Sequence, residues 1–320
     1  MQTQRIVDLR CDNNSLSSLD VRNNTALIVL VCENNSLSSL DVSNHMALTN
    51  LYCKNNSLSR LDVSNNTALI DLNCSRNSLS VLDVSTCTAL KRLDCFYNDI
   101  TNLNVSNNMA LTELYCFDNK FTSLDLSNCT GLKILQCHRT LLSGLDVSNT
   151  ALTSLVCFNN RIPLSDLYAA SKKVSVQNDK ELGTQTLQPQ SVLVGTALFS
   201  DQSVFGGEYT KYEVNQSGSP APTSDYTVTN GEITFHTAGT YDVTMTNDSI
   251  ISRGFYSAKV IVQLTAVSTD ASLSNLTMSA GSLTPAFSST TYNYTVDVEY
   301  LAKGMYYLKI ENKTVKIIKY

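Results

Sequence analysis

The first half of the chain repeats a pattern of apolar and polar positions every 21 residues. Each unit contains leucine-x-x-leucine-x-cysteine, in which one apolar residue alternates with one polar residue around the second leucine. That alternation predicts a short β-strand in every unit, because successive side chains of a strand point to opposite faces. The cysteines that mark the period stand at 11, 32, 53, 74, 95, 116, 137 and 157, the last after a one-residue deletion.

Other columns keep the same period. An asparagine follows each cysteine by three residues, except where Thr140 takes its place, and two further leucines follow the asparagine. One unit reads L-x-x-L-x-C-x-x-N-x-L-x-x-L-D-V-S-N-N-T-A and occurs about eight times. This unit resembles the leucine-rich repeat family, whose core is L-x-x-L-x-L-x-x-N/C-x-L, with cysteine at the third leucine position. The resemblance covers roughly half of the chain.

Stacking these units predicts the fold of residues 1–162. No unit can bury its apolar face alone, so the strands align as a parallel sheet and the leucines of neighbouring units form one core. We expect a mainly β solenoid with a curved sheet, concave on its solvent side, and an irregular convex side. The asparagine amides are expected to satisfy buried backbone groups where each coil turns. Pro163 and the segment Leu164–Lys173 predict a short helix, so that residues 163–187 form a C-terminal cap and linker.

The ten cysteines favour a reduced core over a disulfide framework. The eight periodic cysteines replace a core leucine and point inward together, and parallel side chains hold their Cβ atoms farther apart than the roughly 3.8 Å that a disulfide prefers. Cys87 and Cys129 are expected on the outer turns, two repeats apart and too distant to pair. We therefore expect buried thiols that behave as small hydrophobic groups.

Residues 188–266 change to the alternation of an antiparallel β-domain. Asn230-Gly231 predicts a turn between two strands, and Ala238-Gly-Thr-Tyr241-Asp-Val is similar to the tyrosine corner of immunoglobulin-like sandwiches. Residues 267–320 resemble the opening half of a bacterial cadherin-like module. They end in a tail, 301–320, similar to C-terminal sorting signals of type IX secretion. An ordinary terminal hairpin explains the same tail.

Composition excludes several classes of function. The formal net charge is −5 and neither half is basic, which argues against nucleic acid as a partner. No apolar run reaches the ~18 residues of a membrane span. Three histidines and the absence of nucleotide-binding, zinc-protease and nucleophile-elbow motifs indicate that the protein is not an enzyme and holds no cofactor.

The candidate site lies on the solvent side of the predicted sheet. The position after each cysteine is polar in the first four units and aromatic in the last four, with Phe96, Phe117, His138 and Phe158. The neighbouring candidates are Tyr97, Tyr115, Arg92, Glu113, Gln136 and Arg139. Such rings offer a rigid amphipathic surface for an apolar side chain or a sugar. Two interpretations remain open: a binding patch, or an aromatic ladder that only stabilises the sheet.

Two metal hypotheses are less favoured. Asp20, Asp41, Asp62, Asp83, Asp125 and Asp146 form a column on the outer turns. Calcium could bind such a column, but each aspartate more simply accepts N–H groups of its own turn. His138 has no histidine or cysteine beside it on the exposed face, so we expect no metal site.

Three functions follow as hypotheses. The resemblance implies a secreted or cell-surface binding protein that recognises an extracellular protein, or less often a glycan, on the concave face. The alternatives are a structural spacer or surface-layer component, and a glycan-recognising arm of a longer protein. The tail implies the outer surface of a Gram-negative bacterium. Residues 1–8 lack the apolar stretch of a signal peptide and Ile6 lies inside a repeat, so we expect a longer parent chain.

Overall fold

The computed structural model describes residues 5–174, 180–253 and 257–268, and the backbone of two strands near the C-terminus. The chain divides into two compact units, Met1–Val267 and Ser268–Tyr320. The cadherin-like segment predicted between residues 267 and 303 lies almost entirely outside the described residues.

The first unit begins with a parallel sheet of nine strands in sequence order. One three-residue strand comes from each repeat, and neighbouring strands pair in register, so that Leu93 lies between Leu72 and Leu114. The strands are β1 (Asp8–Arg10), β2 (Val29–Val31), β3 (Asn50–Tyr52), β4 (Asp71–Asn73), β5 (Arg92–Asp94), β6 (Glu113–Tyr115), β7 (Ile134–Gln136), β8 (Ser154–Val156) and β9 (Lys180–Glu181). The predicted parallel solenoid is confirmed.

Leucine and cysteine columns fill the interior of the solenoid. From the second repeat onward the strand leucines and the periodic cysteines are completely buried, while Cys11 is half-buried. All ten cysteines are free. Burial raises the pKa of Cys32 and Cys157 to about 12, and that of Cys74 well above its usual value. At neutral pH the column therefore consists of protonated thiols, which pack as small apolar groups.

The asparagine column is a hydrogen-bonded ladder. Asn98 donates its side-chain amide to the carbonyl oxygens of Cys74 and Cys95, at 3.2 and 3.0 Å, and its Oδ1 accepts from the N–H of Leu79 at 2.9 Å. Each asparagine from Asn35 onward joins two successive repeats in this way and satisfies buried backbone groups of both, as predicted. The ladder ends at Gln185, which occupies the ninth position. Its amide donates to the carbonyl oxygen of Cys157, and its Oε1 accepts the N–H of Asn160.

Cys87 and Cys129 lie in the outer turns and are unpaired, as expected, and their side chains point into the coil. Both are completely buried, and the Sγ of Cys87 lies 3.7 Å from the carbonyl oxygen of Val63. They belong to a second ladder whose other buried members include His45, Asn66 and Asn108. The side chain at this position points into the coil to reach the backbone of the preceding repeat, so a cysteine is buried here like an asparagine.

The C-terminal end of the solenoid is capped by helix α1, Leu164–Lys173, at the predicted position. Its buried side chains Leu164, Leu167 and Ala170 continue the core, and Asp166 accepts the N–H of Leu145 at 2.9 Å. Strand β9 then extends the sheet. Lys180 on this strand is fully buried, and its ammonium group donates to the carbonyl oxygens of Ser171 and Val174 at the end of the helix.

Residues 184–267, here called the two-sheet segment, form a six-stranded and a three-stranded sheet that pack against each other, with a separate two-stranded hairpin. Phe235 of one sheet stacks on Tyr241 of the other, with ring centroids 4.5 Å apart. The elements are β10 (Thr184–Thr186), β11 (Gln190–Leu193), β12 (Ala197–Leu198), a 3₁₀ turn (Ser200–Gln202), β13 (Val204–Phe205), β14 (Glu208–Tyr209), β15 (Lys211–Gln216), β16 (Ser219–Pro220), β17 (Tyr226–Thr229), β18 (Glu232–Phe235), β19 (Gly239–Thr246) and β20 (Lys259–Val267).

The sequence predictions for this segment hold in part. The hairpin β17–β18 turns at Asn230 and Gly231, which both have positive φ as this turn requires. Tyr241 is fully buried and its hydroxyl donates to the carbonyl oxygen of Thr237 at 3.1 Å. A wholly antiparallel sandwich was expected, but β10 and β11 both pair parallel with β20. The registers show that one stretch of chain, residues 184–193, runs alongside β20 in the same direction.

The second compact unit contains an antiparallel pair of strands, β21 (Gly304–Ile310) and β22 (Lys313–Lys319). Within the described part of the chain, no helix is both long and apolar enough to cross a bilayer.

Candidate functional site

Three columns of side chains cover the solvent face of the nine-stranded sheet, which we call the sheet face. They flank the buried leucine and cysteine of each strand, and most of their members are half-buried. The third column, directly after the cysteines, begins with Asp12, Glu33, Lys54 and Ser75 and continues with four aromatic rings. This third column therefore has a polar N-terminal half and an aromatic C-terminal half.

The four predicted rings form one continuous stack, here called the ring stack. Phe96 and Phe117 are 4.5 Å apart between centroids and nearly parallel at 6°. Phe117 and His138 are 4.3 Å apart, and His138 and Phe158 are 4.5 Å apart. These spacings follow from the distance of roughly 4.8 Å between neighbouring strands, which places side chains in register at stacking distance.

Stacking decides which part of each ring can meet a ligand. Both faces of Phe117 and of His138 are covered by their neighbours in the stack, so these rings offer only their edges to the solvent. Sugars bind aromatic residues through a ring face, and aromatic edges carry the positive end of the ring quadrupole. The ring stack is therefore a narrow apolar ridge, which does not match the flat platform that a glycan needs.

A column of left-handed residues runs beside the ring stack. One residue per repeat has a positive φ, and in the first three repeats and the last it is asparagine, which tolerates this conformation. The four middle positions are Arg76, Tyr97, Asp118 and Arg139, with φ of 51–53°. Tyr97 meets Phe96 and Phe117 edge-on, and the guanidinium of Arg76 lies 4.5 Å from the centre of the Tyr97 ring.

Arg76 and Asp118 are site residues that the sequence reasoning missed. Asp118 lies 3.8 Å from the guanidinium of Arg139, which is itself exposed. The missed signal was the loss of asparagine from a column that elsewhere prefers it. Aspartate tolerates this conformation as asparagine does, but arginine does not favour it, and such strained residues are concentrated at functional sites.

Four of the predicted site residues form a second group next to the ring stack: Arg92, Glu113, Tyr115 and Gln136. Arg92 bonds Glu113 at 2.8 Å and Asp94 at 3.0 Å, and its guanidinium lies 4.8 Å from the centre of the Tyr115 ring. Gln136 follows Tyr115 in the same column and is half-buried. The structure thus brings the ten candidates onto one face, but divides them between an apolar ridge and a charged group.

His138 makes the ring stack sensitive to pH. Burial between two phenylalanines, with a smaller contribution from Arg139, lowers the pKa of His138 from 6.5 to about 4. Because the unfolded chain binds this proton more tightly, stability decreases as the pH falls from 6.5 towards 4. We expect about 1–2 kcal/mol of this loss to come from His138, less than the full shift implies, because part of the ring meets solvent.

Urea unfolding at about pH 7 and about pH 4 checks this expectation. The His138→Phe variant keeps a stacked ring and should lose that share of the pH dependence, whereas His236→Gln, at an exposed histidine, should retain it. An identical pH dependence in His138→Phe and the unaltered protein would contradict the prediction.

The outer aspartate column is explained by its turns. Oδ1 of Asp62 accepts the N–H of Ser64 at 2.9 Å, and the same bond recurs at Asp83 and Asp125. These bonds lower the pKa of each aspartate, as expected for a carboxylate that accepts backbone N–H groups. Among the described residues, no group of three or more histidine, cysteine, aspartate or glutamate side chains is arranged to hold a metal ion.

Comparisons with known proteins concern the fold. No protein-family model matches the chain, and no curated protein sequence matches it. Several solved structures match the chain. The functional domain of InlJ from Listeria monocytogenes, described as including a cysteine ladder, is 21% identical, with a TM-score of 0.37 over 82% of this chain and 86% of that chain. An internalin (InlF) of the same species is 22% identical, with a TM-score of 0.47 over 55% of this chain and 52% of the other.

A leucine-rich repeat protein of Leptospira interrogans is 23% identical, with a TM-score of 0.43 over 51% of this chain and 52% of the other. The chain spans about half the length of this protein and of InlF. The parallel strands, the buried leucine columns and the asparagine ladder are those of this repeat class. The fold is a mainly β parallel solenoid, and its repeats resemble the leucine-rich class.

Proposed function

We propose that the protein is a secreted or cell-surface binding protein that recognises an extracellular protein through the sheet face. The observation that carries this proposal is the ridge formed by the ring stack on the solvent side of the sheet. Aromatic side chains presented on a rigid scaffold are frequent centres of protein–protein binding, because little conformational entropy is lost when they are covered. A ridge of ring edges fits a groove or an apolar side chain of a protein better than it fits a sugar.

The left-handed column supports the same conclusion. Arg76, Tyr97, Asp118 and Arg139 take the place of asparagine at four successive positions of this column, and Tyr97 contacts Phe96 and Phe117 of the ring stack. A purely structural column would be expected to keep asparagine, because left-handed backbone costs other residues about 1–2 kcal/mol. Their side chains surround the ridge with charged and hydroxyl groups, which is the usual composition of the rim of a protein interface.

A second candidate is a structural spacer or surface-layer component without a specific ligand. The observation that favours it is the completeness of the stacking, since cross-strand aromatic pairs stabilise a sheet by about 0.2–1 kcal/mol each even when nothing binds. A glycan-recognising arm of a longer protein has less support, because the ring faces that a sugar would cover are already occupied within the stack.

The wider organisation is also part of the proposal. Residues 1–162 would present the binding face and residues 163–187 would cap it. Residues 188–266 would be an immunoglobulin-like spacer, supported by the buried Tyr241 and its bond to Thr237. Residues 267–320 would attach the protein to the outer surface of a Gram-negative bacterium, supported by the sorting-like tail that contains β21 and β22.

A binding screen with matched variants tests the function. The full chain would be measured against purified extracellular proteins and a glycan panel, beside Phe96→Ser, Phe117→Ser and the control Lys54→Ser from the polar half of the same column. We avoid Phe158, because it packs against Gly183 and its loss would disturb the cap. Circular dichroism and urea unfolding confirm that each variant is folded.

We expect a protein ligand whose affinity falls at least tenfold, about 1.4 kcal/mol, in Phe117→Ser and hardly changes in Lys54→Ser. Affinity that is equal in both variants would place the site away from the ridge. Binding only to glycans would favour the accessory-arm hypothesis. A screen without any ligand, together with a loss of stability in both phenylalanine variants, would favour the spacer.

A further inference from the structure

An acidic group lies on the sheet face beside the ring stack, formed by Asp71, Asp94 and Glu113 on three neighbouring strands. Asp71 and Glu113 flank Arg92 in one column, and Asp94 lies in the adjacent column. The single guanidinium of Arg92 bonds Asp94 and Glu113. Three carboxylates thus share one bonded cation, and the group is negatively charged overall.

Two oxygen atoms in this group have no hydrogen-bond partner among the described residues. They are Oδ1 of Asp71 and Oδ1 of Asp94, and both lie below the molecular surface. The Asp94 side chain is only 5% exposed, and its other oxygen is occupied by Arg92. The other oxygen of Asp71 accepts the hydroxyl of Tyr52 at 2.9 Å. A buried carboxylate oxygen without a donor is energetically unfavourable and is rare in folded proteins.

Burial has the expected electrostatic consequence. It raises the pKa of both Asp71 and Asp94 above the usual range, and in Asp94 the hydrogen bond and charge of Arg92 oppose the shift without cancelling it. A second cation beside these carboxylates would supply the missing charge and the missing donors together.

The chemistry of the group decides which cation fits. Among the described residues, no three or more histidine, cysteine, aspartate or glutamate side chains are grouped as metal ligands would be. Arg92 shows what the group does accept: a guanidinium held between two carboxylates with its flat face against the Tyr115 ring. Tyr52 and Tyr115 lie on either side of Asn73 and Asp94 in their column, so aromatic surface is available on both sides.

We propose that this acidic group is a subsite for one basic side chain of the protein partner, preferably an arginine, which binds the free oxygens of Asp71 and Asp94 beside Arg92. The proposal rests on the proposed function and adds the chemistry of the partner: a basic residue next to an apolar contact that covers the ring stack. Because both oxygens are covered, the proposal requires Arg92, whose side chain is 41% exposed, to move when the ligand binds. Arginine is favoured over lysine because its planar group donates two parallel hydrogen bonds and stacks on tyrosine.

Nuclear magnetic resonance titration of the full chain tests the subsite without knowledge of the partner. The probe is N-acetyl-arginine amide, with the neutral analogue N-acetyl-citrulline amide as its control. Ring signals of Tyr52 and Tyr115 and carboxyl signals of the aspartates report binding. The matched variants are Asp94→Asn, which keeps the size of the side chain, and Asp8→Asn, an exposed aspartate of the same face that is paired with Arg10.

We expect saturable shifts of the Tyr52 and Tyr115 signals with N-acetyl-arginine amide. The corresponding lysine compound, Nα-acetyl-lysine amide, should cause smaller shifts, and N-acetyl-citrulline amide should cause none. The dissociation constant should rise at least tenfold in Asp94→Asn and stay unchanged in Asp8→Asn. The proposal would be overturned by equal shifts with the citrulline compound or by equal binding in Asp94→Asn. It would also be overturned if calcium chloride caused the same shifts, or if the arginine compound caused none.

The same titration in Phe117→Ser separates this proposal from the proposed function. The arginine probe should bind this variant as it binds the unaltered protein, because Phe117 is not part of the acidic group. Loss of protein binding with retained arginine binding would support both proposals. Arginine binding without any protein ligand in the screen would leave the subsite intact and contradict only the proposed function.

Discussion

Replacing Asn119 by alanine is expected to lower the free energy of unfolding by about 2–4 kcal/mol, since each buried polar group left without a partner costs roughly 1–3 kcal/mol. The Asn119 amide donates to the carbonyl oxygens of Cys95 and Cys116, both at 3.0 Å, and its Oδ1 accepts the N–H of Ile100 at 3.0 Å. Alanine leaves the Cys116 carbonyl oxygen and the Ile100 N–H buried and unpaired, while the Cys95 carbonyl oxygen keeps its bond from Asn98. No neighbouring side chain can replace the amide, because the adjacent ladder positions are already engaged with their own repeats.

Urea unfolding followed by circular dichroism measures this loss, with Asn107→Ala as the matched control. Asn107 is exposed and donates one bond of 3.3 Å to the carbonyl oxygen of Ser85, so its removal should cost less than about 1 kcal/mol. A third variant, Asn119→Thr, imitates Thr140 and should recover part of the stability, since Thr140 still donates to the carbonyl oxygen of Cys137. Equal stability of Asn119→Ala and Asn107→Ala would contradict the ladder as a source of stability.

Replacing Gly183 by alanine is expected to destabilise the protein by about 2–5 kcal/mol and to disturb the ring stack. Gly183 has a φ of +53°, and a Cβ atom there would lie 2.4 Å from the Cβ of Phe158. The left-handed backbone costs alanine roughly 1–2 kcal/mol, and overpacking adds typically 1–3 kcal/mol. Because the Cβ of Phe158 is fixed to the backbone, relief of this contact has to move the last ring of the stack.

The control Gly195→Ala separates backbone strain from overpacking. Gly195 has a φ of +83° and no heavy atom within 4 Å of an added Cβ, so only the conformational cost of about 1–2 kcal/mol should appear. Stability is measured by urea unfolding, and the ring signals of His138 report the position of Phe158. Unchanged His138 signals in Gly183→Ala, or equal stability of the two glycine variants, would show that the junction tolerates the added methyl group.

Several parts of the site could be predicted from the period alone. A repeat of constant length places equivalent residues in neighbouring strands, so Phe96, Phe117 and His138 had to lie side by side once the strands paired in register. The same argument predicted the asparagine ladder and the inward cysteines. The orientation of the rings could not be predicted, because side chains at strand spacing can stack or splay, and packing in three dimensions selects between these arrangements.

The nonrepeating segments show where sequence reasoning ends. Gln185 completes the ladder by reaching Cys157 and Asn160, and Gln202 accepts the N–H of Leu164 at the start of the cap helix. Nothing in the local pattern marks either glutamine, since both act on residues more than 20 positions away in the chain. The buried Lys180 was missed for a different reason: its partners, Ser171 and Val174, are nearby in the chain, but their carbonyl groups become available only because the helix ends there.

The sequence by itself determined the parallel solenoid, its repeat boundaries, the reduced cysteine core, the cap helix and the set of residues on the sheet face. All of these follow from local sequence patterns, which can be read directly from the chain. Only the tertiary structure decided that the rings cover one another's faces, that Asp71 and Asp94 each keep a buried oxygen without a donor, and that β9 extends the sheet. These features depend on how side chains share space and solvent after the coils have stacked, and a one-dimensional pattern carries no information about that competition.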